Sequence, residues 1–126
     1  MYTVNIQNDF FFPISVTEVG NKVSTVKPEG GNQTYKNWGL ARLSIPGMGE
    51  ALFFDLGKTK LDQYTNPNLS WTNYTWGVLI RYQGVDAYYR YNQVGSMRAT
   101  FDKYGTLHME FDEGGMETAL PEIIVK

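Results

Sequence analysis

The sequence predicts an all-β chain folded as a single-domain antiparallel β-sandwich, and three features point there. Apolar and polar residues alternate over short spans, Gly, Asn, Asp and Pro punctuate the chain about every ten residues, and no convincing amphipathic helix is present. With 126 residues and 42% apolar content, the chain can bury one core and is too short to need two. One domain over residues 1–126 is the expectation.

Ten short candidate strands fill this frame. Tyr2–Gln7 opens the series and runs into the loop Asn8–Pro13 (NDFFFP), where Pro13 discourages the strand from continuing through three phenylalanines. Ile14–Val19 and Lys22–Val26 follow, joined at Gly20-Asn21 as a two-residue hairpin that wants positive φ. Gln33–Trp38 comes next, then a Pro/Gly loop at Leu43–Glu50 (LSIPGMGE), then Ala51–Leu56. An Asn-rich connection at Gln63–Asn73 carries Trp71 and leads into Tyr74–Tyr82, with a Gly84-centred turn before Ala87–Asn92.

The clearest alternation is in the next pair. Met97, Ala99 and Phe101 share one face of Met97–Asp102 while Arg98, Thr100 and Asp102 share the other, and Tyr104-Gly105 turns the chain into Leu107–Phe111. There Leu107, Met109 and Phe111 face inward, and His108, Glu110 and Asp112 face outward. Gly114-Gly115 then opens a C-terminal extension whose last strand, Glu122–Val125, is expected to cover an open sheet edge.

Composition removes several functions. A net charge of −2 gives no broad attraction for nucleic acid or an anionic bilayer. There is no cysteine for a disulfide or thiolate site, and a single His108 excludes a multi-histidine metal centre. The glycine pairs lack the spacing and following helix of a phosphate loop. Glu110, Asp112 and Glu113, like Asp55 and Asp62, supply carboxylate pairs that formally allow a glycosidase, but the solvated-face reading is preferred because such a pair needs a cleft that a small packed sandwich rarely supplies. No catalytic, metal or cofactor residue is assigned, and the chain is expected not to be an enzyme.

What remains is aromatic. Eight of the twelve Trp and Tyr residues fall between positions 64 and 91, a density that suits a recognition surface because each joins an apolar face to a polar handle. Tyr82, Tyr88, Tyr89 and Tyr91 flank the Gly84 turn with Arg81 and Arg90 interleaved, the residue types a phosphocholine-like head group needs. Tyr88 and Tyr89 point to opposite faces of one strand, so about half of these tyrosines belong to the core. Trp76 begins the apolar run WGVLI, whereas Trp71 sits in a polar loop and suits the head-group layer of a bilayer.

Several segments, in order, resemble the aegerolysins, a family of small acidic all-β proteins. They are YTVNIQNDFFFPISVTEVGNK at the N-terminus, VKPEGGNQTYKNWG (Val26–Gly39), GMGEALFFDL (Gly47–Leu56), YTNPNLSWTNYTWGV (Tyr64–Val78) and GSMRATFD (Gly95–Asp102), together spanning about positions 2 to 111. The resemblance implies a β-sandwich that recognises membrane lipids such as sphingolipids, often as the binding component of a two-component cytolysin or insecticidal toxin. It places lipid contact on Trp71 and Trp76, with Tyr64 and Asn73 beside them.

The combined expectation is a membrane-lipid-recognising protein. Trp71 and the Phe10, Phe11 and Phe12 loop would enter the interface while Tyr82, Tyr88, Tyr89 and Arg90 hold a sphingolipid-type head group. The sequence offers no long alternating hairpin of the roughly 10-residue strands that a transmembrane barrel needs, so a pore implies a larger protein partner. The alternative is a carbohydrate-binding module or lectin, since Trp beside Asn and Tyr also suits a glycan. With neither a signal-peptide pattern nor a transmembrane run, the chain is expected to be soluble, cytoplasmic when made, and active on target-cell membranes after release.

Overall fold

A computed structural model describes residues 2–36, 39–58, 76–91, 95–111 and 116–118, with the backbone alone at 2, 56–58, 76, 88–91, 95, 111 and 116–118. Among the described residues every regular element is a strand. In chain order these are β1 (Tyr2–Asn8), β2 (Ile14–Glu18), β3 (Val23–Val26), β4 (Gly31–Lys36), β5 (Leu40–Ile45) and β6 (Gly49–Lys58). β7 (Trp76–Tyr82), β8 (Val85–Tyr91), β9 (Gly95–Phe101), β10 (Leu107–Phe111) and β11 (Met116–Thr118) complete the series. No helix among the described residues is long and apolar enough to cross a membrane.

Two sheets pack as a sandwich. One has four strands in the order β10-β9-β1-β4, the other seven in the order β11-β8-β7-β6-β5-β2-β3. All pairings are antiparallel except β1 with β9, where Val4 registers with Met97 and Ile6 with Ala99. These four, with Phe101, Leu107 and Met109, turn one sheet's apolar face toward Ile14, Val16, Leu43, Phe53, Val78 and Ile80 of the other. The alternation that selects them is the pleat itself, which sends every second side chain inward.

Tyr82 joins the two layers. Its ring meets Phe101 edge-on at 5.5 Å, and its hydroxyl donates to the Gly105 carbonyl at 2.9 Å, with no exposed surface. Burial, with the Asp102 charge adding to it, pushes the phenol up to about 12. Replacing Tyr82 by phenylalanine orphans the Gly105 carbonyl and is expected to cost about 1–2 kcal/mol in denaturant unfolding.

The outward face of the four-stranded sheet is polar throughout. Across it run the rows His108–Thr100–Gln7–Asn32 and Glu110–Arg98–Asn5–Thr34, set by the strand registers. Asn5 donates to the Thr34 hydroxyl at 2.9 Å. The seam between β3 and β4 is closed by side chains: Gln33 donates to the Thr25 carbonyl and Tyr35 bonds Ser24.

Several expected elements change. Leu40–Ile45 is a strand with alternating burial of Ala41, Leu43 and Ile45, so the Leu43–Glu50 loop contracts to Pro46–Met48. Gly20 and Asn21 do take positive φ, but Glu18 and Lys22 close the turn, making a three-residue loop of Val19, Gly20 and Asn21. β6 reaches ten residues but carries a register shift between Asp55 and Gly57 and buries Ala51 and Phe53 in the core. The edge strand supplied by the C-terminal extension is Met116–Thr118, paired with β8; Glu122–Val125 lies outside the described residues.

Candidate functional site

Odd-numbered strands end where the even-numbered ones begin, so five connections gather at one end of the sandwich. The gathering is built by contacts: Asp9 N donates to Phe101 O, Glu29 N to Phe10 O, and Gln83 Nε2 to Met48 O, while a Cβ on Gly105 would strike the Met48 side chain. Three of these loops are tied to the end of β1. They carry the candidate site.

Asn8 organises the first. It is fully buried, its Nδ2 donating to Phe12 O at 2.9 Å and Val26 O at 3.1 Å, its Oδ1 accepting from Phe10 N at 2.9 Å. An Asn or Asp that bonds the backbone two residues on makes a turn of its own, and here the second donor hydrogen pins the far side of the loop as well. Pro13 restricts the exit into β2. From the neighbouring loop, Glu29 and Gly30 present successive amides to Phe10 O and Asn8 O; both adopt positive φ, 59° and 104°.

The three phenylalanines divide. Phe10 is buried, 7% exposed, whereas Phe11 and Phe12 stand 59% and 54% exposed. The Phe10 ring supports both, at 6.3 Å and 5.7 Å between centroids. Phe10 is thus removed from the set expected to enter an interface: it belongs to the core because its own amide is bound to the buried Asn8 side chain. Two exposed rings on a loop with so many fixed backbone groups form a preformed apolar tip.

Beside it stands the β9–β10 hairpin. Asp102 Oδ1 accepts from Tyr104 N at 2.8 Å and Thr106 N at 3.0 Å, and Oδ2 meets His108 Nε2 at 2.8 Å. Gly105 takes φ 79°, the left-handed position that a three-residue hairpin loop requires. Tyr104 is 70% exposed, with Lys103 Nζ 5.0 Å from its ring centre. Burial alone raises the Asp102 carboxyl, but the His108 ring and the Thr106 and Tyr104 amides outweigh it and hold the group below its ordinary 3.8.

A depressed folded-state carboxyl contributes stability above its unfolded value and loses it as pH falls through the folded value. Asp102→Asn is therefore expected to flatten the acid limb of the stability profile below pH 3.8, read by urea melts across that range. Unchanged acid sensitivity would show that Asp102 does not contribute to it.

The remaining expected residues fall elsewhere. Tyr82 is corrected from head-group ligand to core, because its hydroxyl is committed to Gly105 and its ring to Phe101. Arg81 forms a two-point pair with Asp86, at 2.7 Å and 2.9 Å, which holds that carboxyl low. On β8, Tyr88 registers with Leu79, Tyr89 with Val78 and Arg90 with Gly77. Trp76 begins β7, opposite Lys58. Tyr64, Trp71 and Asn73 lie outside the described residues.

The attachment points of residues 59–75 are Lys58 and Trp76, at the far ends of β6 and β7 from Met48 and Tyr82. One strand length, roughly 20 Å, separates them from the Phe11–Phe12 end. The two segments expected to enter one interface together are thus rooted at opposite ends of the sandwich. Sequence reasoning missed Lys103 and Tyr104; an aromatic at a hairpin apex was the available signal. Among the described residues no group of three or more His, Cys, Asp or Glu is placed to hold a metal ion. No protein-family model matches the chain, and neither the curated proteins nor the solved structures contain a match.

Proposed function

We propose that this protein docks on membrane lipid through the Phe11–Phe12 tip. The observation that carries the reading is the pairing of two exposed phenylalanines with a backbone pinned by buried Asn8. Exposed apolar side chains cost nothing extra to present to a bilayer, and a rigid loop loses little freedom on insertion. Burying one phenylalanine contributes about 1.5–3 kcal/mol, so two give a grip that is real but reversible. An apolar tip next to the hairpin that carries Lys103 and Tyr104 suits an interface whose outer layer is polar and whose interior is apolar.

The resemblance to aegerolysins extends this reading to a sphingolipid-type head group and a larger protein partner that completes a pore, with this chain as the binding component. Co-sedimentation of the intact chain with vesicles of sphingomyelin and cholesterol, ceramide phosphoethanolamine, and phosphatidylcholine tests it. Binding to at least one composition is expected; failure with all of them removes the docking reading.

A second reading is favoured by a different surface. The polar outward face of the four-stranded sheet, with Gln7, Asn32 and Thr34 in adjoining rows, offers amide and hydroxyl groups to the hydroxyls of a glycan. A glycan-array signal that survives in the absence of lipid, and that falls with Asn32→Ala, would favour a carbohydrate-binding module.

A further inference from the structure

Two phenylalanines grip any lipid interface alike, so selection among head groups must come from polar groups beside them. We infer that Lys103 and Tyr104 form a head-group site for a phosphodiester that also carries an ammonium, an inference that rests on the docking reading above. The hairpin is rigid where it needs to be: Asp102 binds the Tyr104 and Thr106 amides, Tyr82 binds the Gly105 carbonyl, and Met48 packs against Gly105. Asp9 N, bonded to Phe101 O, sets this hairpin next to the loop that carries Phe11 and Phe12.

In the free protein the Tyr104 ring already holds a cation, the Lys103 ammonium at 5.0 Å. A phosphate oxygen arriving at the hairpin draws that ammonium away into a charge-assisted hydrogen bond, which is stronger than the ring contact. The vacated ring face then takes the head group's own ammonium. One cation replaces another on the ring, no charge is left unpaired, and the lysine stem is the part that moves.

The surrounding charge favours such a zwitterion over a simple anion. In the three loops tied to the end of β1, Asp9, Glu29 and Asp102 outnumber Lys27 and Lys103. A bare anion meets a slight net repulsion there, whereas the outer ammonium of a zwitterion does not. The tip fixes depth, and the hairpin reads the polar layer above it.

The test uses the full chain and its Lys103→Met and Tyr104→Leu variants, both at exposed positions. Each is titrated by NMR with glycerophosphocholine and with inorganic phosphate, then sedimented with vesicles of phosphatidylcholine and of phosphate-free digalactosyldiacylglycerol. Glycerophosphocholine is expected to shift both Lys103 and Tyr104 signals, inorganic phosphate only Lys103. Each substitution is expected to weaken binding to phosphatidylcholine about three- to tenfold and to leave the galactolipid unaffected. Equal phosphatidylcholine binding by all three chains, equal losses on both vesicle types, or identical shifts with the two soluble probes overturns the site. Its failure is separable from that of docking: if Phe11 and Phe12 are needed on both vesicle types while the hairpin variants change nothing, docking stands and the hairpin site falls.

Discussion

Replacing Asn8 by alanine is expected to lower the unfolding free energy by about 3 kcal/mol, the largest loss from any single polar substitution among the described residues. The side chain has no exposed surface and makes three hydrogen bonds, to Phe10 N, Phe12 O and Val26 O. Alanine leaves one amide and two carbonyls without that partner and opens a void beside them. A buried polar group stripped of its partner forfeits its full desolvation cost, which exceeds the net worth of the bond in the intact protein.

Denaturant unfolding measures this directly. A drop in midpoint at constant slope is the expected form, because the same surface is exposed on unfolding. The substitution also has a functional reading. Once Phe10 N and Phe12 O are released, the loop between them no longer holds its rings in one arrangement, so membrane affinity should fall further than loss of folded protein explains. A cost below about 1 kcal/mol would mean that water substitutes for the side chain and that Asn8 does not fix the tip.

Exchanging Phe11 and Phe12 together for serine is expected to reduce vesicle binding roughly a hundredfold, because most of the apolar insertion energy resides in those two rings. Stability should change by no more than about 0.5 kcal/mol, since both are more than half exposed and meet the Phe10 ring only at a tilt, 6.3 Å and 5.7 Å between centroids. The two variants thus separate cause from consequence. Asn8→Ala destabilises the scaffold and blurs the tip; the serine pair keeps the scaffold and deletes the tip.

Much of the sandwich was readable from period-two alternation. The β9–β10 hairpin is the clearest case: Met97, Ala99 and Phe101 face Leu107 and Met109 across the expected Gly105 turn, and His108 and Glu110 are exposed. Leu40–Ile45 was hidden because the turn residues Pro46, Gly47 and Gly49 dominate their neighbourhood, although Ala41, Leu43 and Ile45 keep the alternation. The fold class survives such an error, since one hairpin more or less leaves the layers intact.

The site was less legible for a physical reason. Three consecutive phenylalanines carry no local information on which is buried; that is decided by Asn8 reaching across to Val26, eighteen residues away. The tyrosines of β7 and β8 look alike in sequence, and it is the packing of Phe101 from the other sheet and the Gly105 carbonyl that commit Tyr82, ring and hydroxyl, to the core. In sequence Tyr104 reads as turn chemistry, and its exposure depends on a hairpin fixed by Asp102 and His108 together.

The most direct test of membrane docking is co-sedimentation of the wild-type chain and the Phe11→Ser, Phe12→Ser double variant with the same sphingomyelin–cholesterol and phosphatidylcholine vesicles, at matched folded fraction. Wild-type protein pelleting with vesicles while the double variant stays in the supernatant is the predicted result. Equal pelleting of the two chains would contradict the assignment of docking to this loop.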